Sequence, residues 1–162
     1  MTNLPPLDQL NALTRQGIGF LTTLNQLLDA EFSALQERDI EQLQALVQQK
    51  TEALQQLEAN NQQRNQLFVN AGISPNKDGL QQFTQQLPAP HADQFRELWS
   101  ELEQILKTVN EKNQRNELVI TRNNRNLEQL LSILRGQNQK NTLYNQSGDK
   151  GNYSAQNRLG KA

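Results

Sequence analysis

The sequence predicts an all-α protein: an antiparallel bundle of three long helices and one short helix, followed by a flexible C-terminal tail. Leucines recur at spacings of three, four and seven through most of the chain, which is the period of an amphipathic helix. Glycine and proline, at 8 and 5 of 162 residues, interrupt this pattern at few positions. Glutamine pairs such as Gln48-Gln49 alternate with the leucines, and we interpret them as solvent faces, because glutamine is a good helix former.

The first long helix is predicted over about residues 5–36. Pro5 or Pro6 suits a first helical turn, and a leucine stripe follows at helical spacing, formed by Leu7, Leu10, Leu21, Leu24, Leu28 and Leu35. Gly17 and Gly19 interrupt this stripe, and each glycine costs a helix about 1 kcal/mol relative to alanine. We therefore expect either a kink or the close approach of another helix near Gly17.

The second helix is predicted over about residues 39–71. Asp39 has the character of an N-cap, and Gln42 at the third helical position completes a capping box. Gly72 is placed to end the helix in a left-handed conformation. Only two or three residues around Arg38 join this helix to the first, so the two helices are expected to lie antiparallel.

A short helix is predicted over about residues 79–87, and the last long helix over about 91–135. If the last helix lies antiparallel to the second, the residues beyond about Arg125 extend past the end of the bundle by roughly 15 Å. This overhang contains Leu127, Leu130, Leu131, Ile133 and Leu134. Exposed apolar surface of this kind marks an interaction site, so we expect a protein partner to cover it.

The predicted domain organisation is a helical bundle over residues 1–136 and a flexible, partner-binding tail over residues 137–162. The tail is polar and lacks a helical period, as is typical of segments that order only on binding. It contains Leu143-Tyr144. In a polar tail this pair is either incidental or a short linear anchor, and the residues alone leave both interpretations open.

Composition excludes several functions. The chain has no cysteine and a formal net charge of −1, which argues against thiolate metal sites and against nucleic acid as a partner. No apolar run approaches the length of about 20 residues that a membrane span needs, and we expect a cytoplasmic protein without membrane insertion. No catalytic motif, metal site or cofactor is predicted, so the chain is expected to bind proteins and not to be an enzyme. His91 is interpreted as an ordinary residue at a helix N-terminus.

Three asparagines of the last helix, Asn116, Asn123 and Asn126, occupy stripe positions where the pattern calls for apolar residues. Buried amides at such positions fix the register of packed helices at some cost in stability. Alternatively, the stripe turns outward there to meet another protein. The sequence favours neither interpretation over the other.

A series of motifs runs through the chain in a fixed order. It begins with Leu28-x-x-Glu31-x-x-Ala34-Leu35-x-x-Arg38-Asp39 and ends with Thr142-x-Tyr144-x-x-x-Gly148. Between them lie Leu43, Lys50, Leu54, Leu57, Arg64, Gly72, Asn110, Asn113, Asn116, Asn123 and Asn126. In this order the motifs resemble the FlgN family of flagellar export chaperones, and the resemblance covers about residues 7–148.

The resemblance implies a cytoplasmic chaperone that binds the hook–filament junction proteins, the hook-associated proteins FlgK and FlgL, and delivers them to the flagellar type III export gate. In the family, the end of the last helix and the adjoining tail engage the cargo, and a tyrosine there is tied to docking on the gate protein FlhA. Together with the overhang, this implies a cargo-binding face formed by Leu127, Leu130, Leu131 and Leu134. The tyrosine that matches the gate-docking position is Tyr144, with Tyr153 as the second candidate.

Two other function classes remain open. The first is a structural or adaptor coiled-coil protein that homo-oligomerises through its apolar stripe. The second is a phosphotransfer domain, whose motif resembles His-x-x-Lys-Gly, whereas this chain has His91-Ala92-Asp93-Gln94-Phe95. The sequence leaves undecided which junction protein is preferred and what the oligomeric state is.

Overall fold

The computed structural model describes residues 3–134. This part of the chain forms four α-helices and no strand: α1 is Leu7–Glu37, α2 is Ile40–Asn70, α3 is Lys77–Gln85 and α4 is Ala89–Leu134. The predicted fold class is confirmed, and each predicted helix start and end differs from the observed one by one or two residues. The predicted tail over 137–162 lies outside the described residues.

The chain divides into two compact units between Ile120 and Thr121. The first unit contains α1, α2, α3 and α4 as far as Ile120. The described part of the second unit is the α4 segment Thr121–Leu134.

The turn between α1 and α2 consists of Arg38 and Asp39. Arg38 adopts a left-handed conformation with φ of 57°, which ends α1. The Asp39 carboxylate accepts a hydrogen bond from the Gln42 backbone N–H at 3.0 Å, as the predicted N-cap requires. The reciprocal half of the predicted capping box does not form, because the Asp39 backbone N–H donates to the Ala34 carbonyl at 2.9 Å.

Gly72 ends α2 as predicted, with φ of +73°, a region that glycine enters without steric cost. Its N–H donates to the Val69 carbonyl at 2.9 Å, and the Ile73 N–H donates to the Phe68 carbonyl at 2.9 Å. These two bonds form a Schellman motif. Ile73 also packs against the cluster that contains buried Phe68, so the backbone cap and the core reinforce each other.

Both α3 and α4 begin two residues earlier than the sequence pattern predicted. Asn76 caps α3, since its side chain accepts a hydrogen bond from the Gly79 N–H at 2.8 Å. A side chain at Gly79 would collide with the Ser74 carbonyl oxygen, so glycine is required inside this first turn. At α4, the Pro88 carbonyl accepts from the Ala92 N–H at 2.9 Å, and Pro90 is tolerated because the first-turn N–H groups have no helical partner.

Two apolar clusters hold the first unit together. The larger one joins α1, α2 and α4 and consists of Leu21, Leu24, Leu28, Ala53, Leu102 and Val109. The second joins all four helices through Leu10, Phe68, Phe83 and Phe95. Within it, Phe83 makes edge-to-face contacts with Phe68 and Phe95 at centroid distances of 5.6 and 5.1 Å, the arrangement that aromatic rings prefer.

The direction of α4 follows from its partners. Phe95 packs in the cluster of Leu10, and Asn116 bonds to the carbonyl of Leu28 at the other end of α1. Within the first unit, α4 therefore runs parallel to α1 and antiparallel to α2, the arrangement that the sequence analysis assumed for the second and last long helices.

Gly17 marks a close approach between helices, and α1 continues through it without interruption. A Cβ atom at Gly17 would lie 2.7 Å from the Asn60 Oδ1 atom of α2 and 3.5 Å from the Leu102 Cδ1 atom of α4. The missing side chain makes room for both neighbouring helices. Gly19, by contrast, has open space around it.

Candidate functional site

The segment of α4 from Thr121 to Leu134 carries exposed apolar side chains. Leu127 and Leu130 are each 57% exposed, and Leu131 is 40% exposed. Ile133 and Leu134 are 74% and 79% exposed. By comparison, the leucines Leu21, Leu24 and Leu28 of α1 are each 1% exposed. The segment thus presents to solvent the residue type that forms the core elsewhere.

The four predicted cargo-binding leucines share one face of this helix. Leu127, Leu130, Leu131 and Leu134 stand at relative positions 0, 3, 4 and 7 of α4, and residues at these spacings are neighbours on a helix surface. The helix therefore brings them together as one apolar stripe, called here the leucine face. A contiguous apolar patch with polar surroundings is typical of a protein interaction site.

The three asparagines of the last helix divide between the two interpretations. Asn116 is 1% exposed, and its side-chain N–H group donates to the Leu28 carbonyl and to the Glu31 carboxylate, both at 2.9 Å. Asn123 and Asn126 are exposed. The buried interpretation is thus right for Asn116. Asn123 and Asn126 face outward, and their contact with another protein stays a prediction.

Asn116 belongs to a buried polar cluster, called here the polar clamp. At its centre the Glu31 carboxylate of α1 accepts from Lys50 of α2 at 3.0 Å and from Asn116. The side chains of Lys50 and Glu31 are 11% and 5% exposed. Burying such a pair costs desolvation, and in some proteins buried ionic groups specify one arrangement of the helices. The clamp joins α2 and α4 to α1 through the Glu31 carboxylate.

Arg115 extends the clamp toward solvent. Its guanidinium Nε donates to the Asn116 Oδ1 atom at 3.1 Å, and a terminal nitrogen lies 3.4 Å from both the Leu28 carbonyl and the Asp29 carboxylate. The guanidinium also stacks over the Phe32 ring at 4.0 Å. Nearby, Lys112 donates to Asp29 at 2.6 Å. The Lys112 hydrogen bond outweighs the opposing effect of desolvation and holds the pKa of Asp29 below its ordinary value, with a further contribution from Arg115.

A second polar cluster ties α2 to α1 beside Gly17. Asn60 is 2% exposed; its Nδ2 donates to the Leu13 carbonyl at 2.8 Å and to the Gln16 side chain at 3.2 Å. Arg64 donates through Nε to the Asn60 Oδ1 atom at 2.9 Å and stacks over Trp99 of α4 at 5.7 Å. Burial lowers the pKa of the Arg64 guanidinium below its ordinary value.

The sequence analysis did not identify the roles of Asn60, Glu31 and Arg115. Asn60 is a polar residue seven positions after buried Ala53, so it interrupts a stripe in the same way as Asn116. That signal was present in the sequence. The partners of Glu31, and the Leu28 and Asp29 partners of Arg115, lie on other helices far away in sequence, and no spacing rule identifies them.

Among the described residues, the other positions considered from the sequence do not form a binding or catalytic site. His91 is exposed in the first turn of α4, in agreement with its interpretation as an ordinary N-terminal helix residue. Within residues 3–134, no group of His, Asp or Glu side chains is arranged to hold a metal ion, and no helix is long and apolar enough to cross a membrane. Tyr144 and Tyr153 lie outside the described residues.

A family model described as "FlgN protein" matches residues 1–152. The match covers almost the whole chain. The chain belongs to the FlgN family. The resemblance inferred from the motif order is confirmed.

A solved structure of a flagella synthesis protein FlgN from Pseudomonas aeruginosa is similar to this chain. The two sequences are 32% identical, the TM-score is 0.61, and the aligned region covers 74% of this chain and 90% of that chain. No curated protein matches the chain. Membership of the FlgN family and the likeness to a flagella synthesis protein support a role in building the bacterial flagellum.

Proposed function

We propose that this FlgN family member is a cytoplasmic chaperone of flagellar type III export. It binds hook–filament junction proteins of the FlgK and FlgL type and delivers them to the export gate. The observation that carries the proposal is the leucine face of α4, formed by Leu127, Leu130, Leu131 and Leu134, which are exposed. The flagellar role of the family supports the choice of cargo.

The energetics suit reversible binding. Fully burying an exposed leucine side chain contributes about 1.5–3 kcal/mol. Between 40% and 79% of the surface of each of these side chains is exposed, so a substantial part of that contribution is available to a partner. Four such residues in one stripe match the way in which an amphipathic helix docks against a second apolar surface.

The direct test is the double substitution Leu130→Ser with Leu134→Ser, with binding of a purified FlgK-type protein measured by calorimetry. We expect the dissociation constant to rise at least tenfold, because about 1.4 kcal/mol corresponds to a factor of ten. The thermal midpoint should remain unchanged, since these side chains are exposed. The matched control is Val47→Ser with Val69→Ser, at positions that are 57% and 56% exposed on α2.

Equal cargo affinity in the Leu130→Ser, Leu134→Ser variant and in the control variant would show that the cargo binds elsewhere. A structural or adaptor function by homo-oligomerisation would use the same leucine face. Sedimentation of the unmodified chain at micromolar concentration distinguishes the two functions, since the chaperone is expected to be a monomer and the adaptor a stable oligomer that the leucine substitutions dissociate.

We further propose that Tyr144 docks the chaperone on the export gate protein FlhA. The support is the Thr142-x-Tyr144-x-x-x-Gly148 motif within the region that the family model matches. Tyr144→Ala should abolish binding to the cytosolic domain of FlhA and leave cargo affinity and the thermal midpoint unchanged. If Tyr144→Ala leaves gate binding intact, the role belongs either to Tyr153, which Tyr153→Ala tests, or to a residue outside the tail.

A further inference from the structure

The Arg115-Asn116 pair of the polar clamp recurs seven residues later as Arg122-Asn123. Residues seven apart share one face of a helix. The row of positions that includes Asn116 consists of Phe95, Leu102, Val109, Asn116, Asn123 and Leu130. The first four are buried within the first unit, whereas Asn123 and Leu130 are exposed. The exposed end of α4 thus repeats the sequence pattern of a face that elsewhere is packed against a helix.

The pair Arg115-Asn116 in the first unit shows which kind of surface this residue pattern contacts. Asn116 and Arg115 contact a short stretch of α1 in which Leu28 offers its carbonyl and Asp29 offers a carboxylate. Glu31 offers a second carboxylate to Asn116, and the ring of Phe32 lies under the Arg115 guanidinium. The partner surface is therefore an amphipathic helix with carboxylates directly beside its apolar stripe.

We propose that Arg122 and Asn123 are specificity-determining residues that recognise a carboxylate on an amphipathic helix of the cargo. Leu130, on the same row of α4, contacts the apolar stripe of that cargo helix. This inference rests on the proposed chaperone function and names the chemistry of its cargo.

Charge supports an acidic partner. The described part of the second unit, Thr121–Leu134, contains two cations, Arg122 and Arg125, and one anion, Glu128. A guanidinium donates to a carboxylate through a planar fork, which fixes orientation as well as affinity. An apolar stripe alone specifies axial alignment poorly, whereas one polar pair beside it fixes the register.

The geometry also gives a spacing. Asn123 and Leu130 are seven residues apart in α4, which corresponds to about 10 Å along the helix axis. The cargo helix should therefore carry an aspartate or glutamate about two helical turns from those of its own apolar residues that contact Leu130.

The test is Arg122→Gln in the full chain, with affinity for a purified FlgK-type protein measured at low and high salt. Arg125→Gln is the matched control. It removes the same charge three residues away, on the row of α4 that includes Leu118, which is 60% exposed in the first unit. We expect Arg122→Gln to weaken binding about tenfold and to reduce its salt dependence, and Arg125→Gln to change affinity less than about twofold.

A second measurement identifies the acidic residue of the cargo that contacts Arg122. Arg122→Glu should bind poorly to unmodified cargo and should regain affinity when one particular aspartate or glutamate of the cargo's bound helix is replaced by lysine. A double-mutant cycle of this kind isolates the pairwise interaction.

Equal effects of Arg122→Gln and Arg125→Gln, or no rescue by any charge exchange, would overturn the inference while leaving the chaperone function intact, provided that Leu130→Ser with Leu134→Ser still weakens binding. No cargo binding by the unmodified chain would overturn both.

Discussion

Asn116 and Asn123 are the same residue type, seven positions apart on one helix, yet the first is 1% exposed with two hydrogen bonds to α1 and the second is exposed. The leucines of α4 show the same contrast, since Leu102 is 5% exposed and Leu130 is 57% exposed. One helix therefore uses one residue pattern in two environments. In the first unit the pattern holds the bundle together, and in the segment after Ile120 it is available to a partner.

The largest expected effect concerns the leucines. Leu24→Ala should lower the free energy of unfolding by about 3 kcal/mol, because it leaves a cavity in a close-packed core. Leu130→Ala should change it by less than about 0.5 kcal/mol, as surface substitutions do. Urea denaturation monitored by circular dichroism measures both values. Similar losses for the two variants would mean that Leu130 is part of the folded core, which would contradict its assignment to an exposed binding surface.

The polar clamp offers the next test. Lys50→Met leaves the Glu31 carboxylate buried without its cation, and should lower the free energy of unfolding by about 3 kcal/mol. Replacing both residues, as Glu31→Met with Lys50→Met, should recover most of that loss, since apolar side chains of similar size tolerate burial. The control Arg96→Met removes a pair with Asp93 whose side chains are 57% and 74% exposed, and it should have little effect. A double variant less stable than Lys50→Met would contradict the account.

The two glycines of α1 allow a buried and an exposed position to be compared within a single helix. Gly17→Ala places a Cβ atom 2.7 Å from the Asn60 Oδ1 atom, so Asn60 has to move and its bonds to Leu13 and Gln16 weaken. We expect a loss of about 1–2 kcal/mol. Gly19→Ala meets no atom within 4 Å and should gain up to about 1 kcal/mol from helix propensity. Thermal unfolding of both variants decides whether they shift in opposite directions.

The smallest effect is a pH dependence at the edge of the clamp. The pKa of Asp29 is lowered in the folded state, so the ionised carboxylate stabilises the fold above the unfolded-state pKa of about 3.9. This contribution is lost as the pH falls through the lower folded-state value. Asp29 is 53% exposed, and the effect should amount to only a few tenths of a kcal/mol. Carboxyl-resolved NMR titration should show the pKa of Asp29 rising toward its ordinary value in Lys112→Met; no change would remove Lys112 as the cause.

The sequence predicted the fold because the helices are specified locally. The leucine stripes, the Asp39 cap and Gly72 each act within a few residues, and they fixed the number and the ends of the helices to within two residues. The sequence pattern places the starts of α3 and α4 two residues too far toward the C-terminus. It does not take account of the Asn76 cap or of the tolerance of Pro90 in a first helical turn.

The polar contacts between helices were much harder to predict. Glu31 belongs to one of the sequence motifs, but its partners Lys50 and Asn116 are 19 and 85 residues away. Their meeting depends on the axial alignment of three helices, which no local spacing determines. The exposure of the leucine face was anticipated, because it followed from comparing helix lengths. Its occupation by cargo depends on a second protein, and that remains a proposal.

We propose that the segment of α4 after Ile120 binds the cargo. Amide hydrogen exchange of the full chain, with and without a purified FlgK-type protein, tests this most directly. The account predicts that amides of Thr121–Leu134 exchange more slowly when cargo is present, and that those of α1 between Leu21 and Leu28 do not change. Cargo-dependent protection confined to the first unit, with Thr121–Leu134 unaffected, would contradict it.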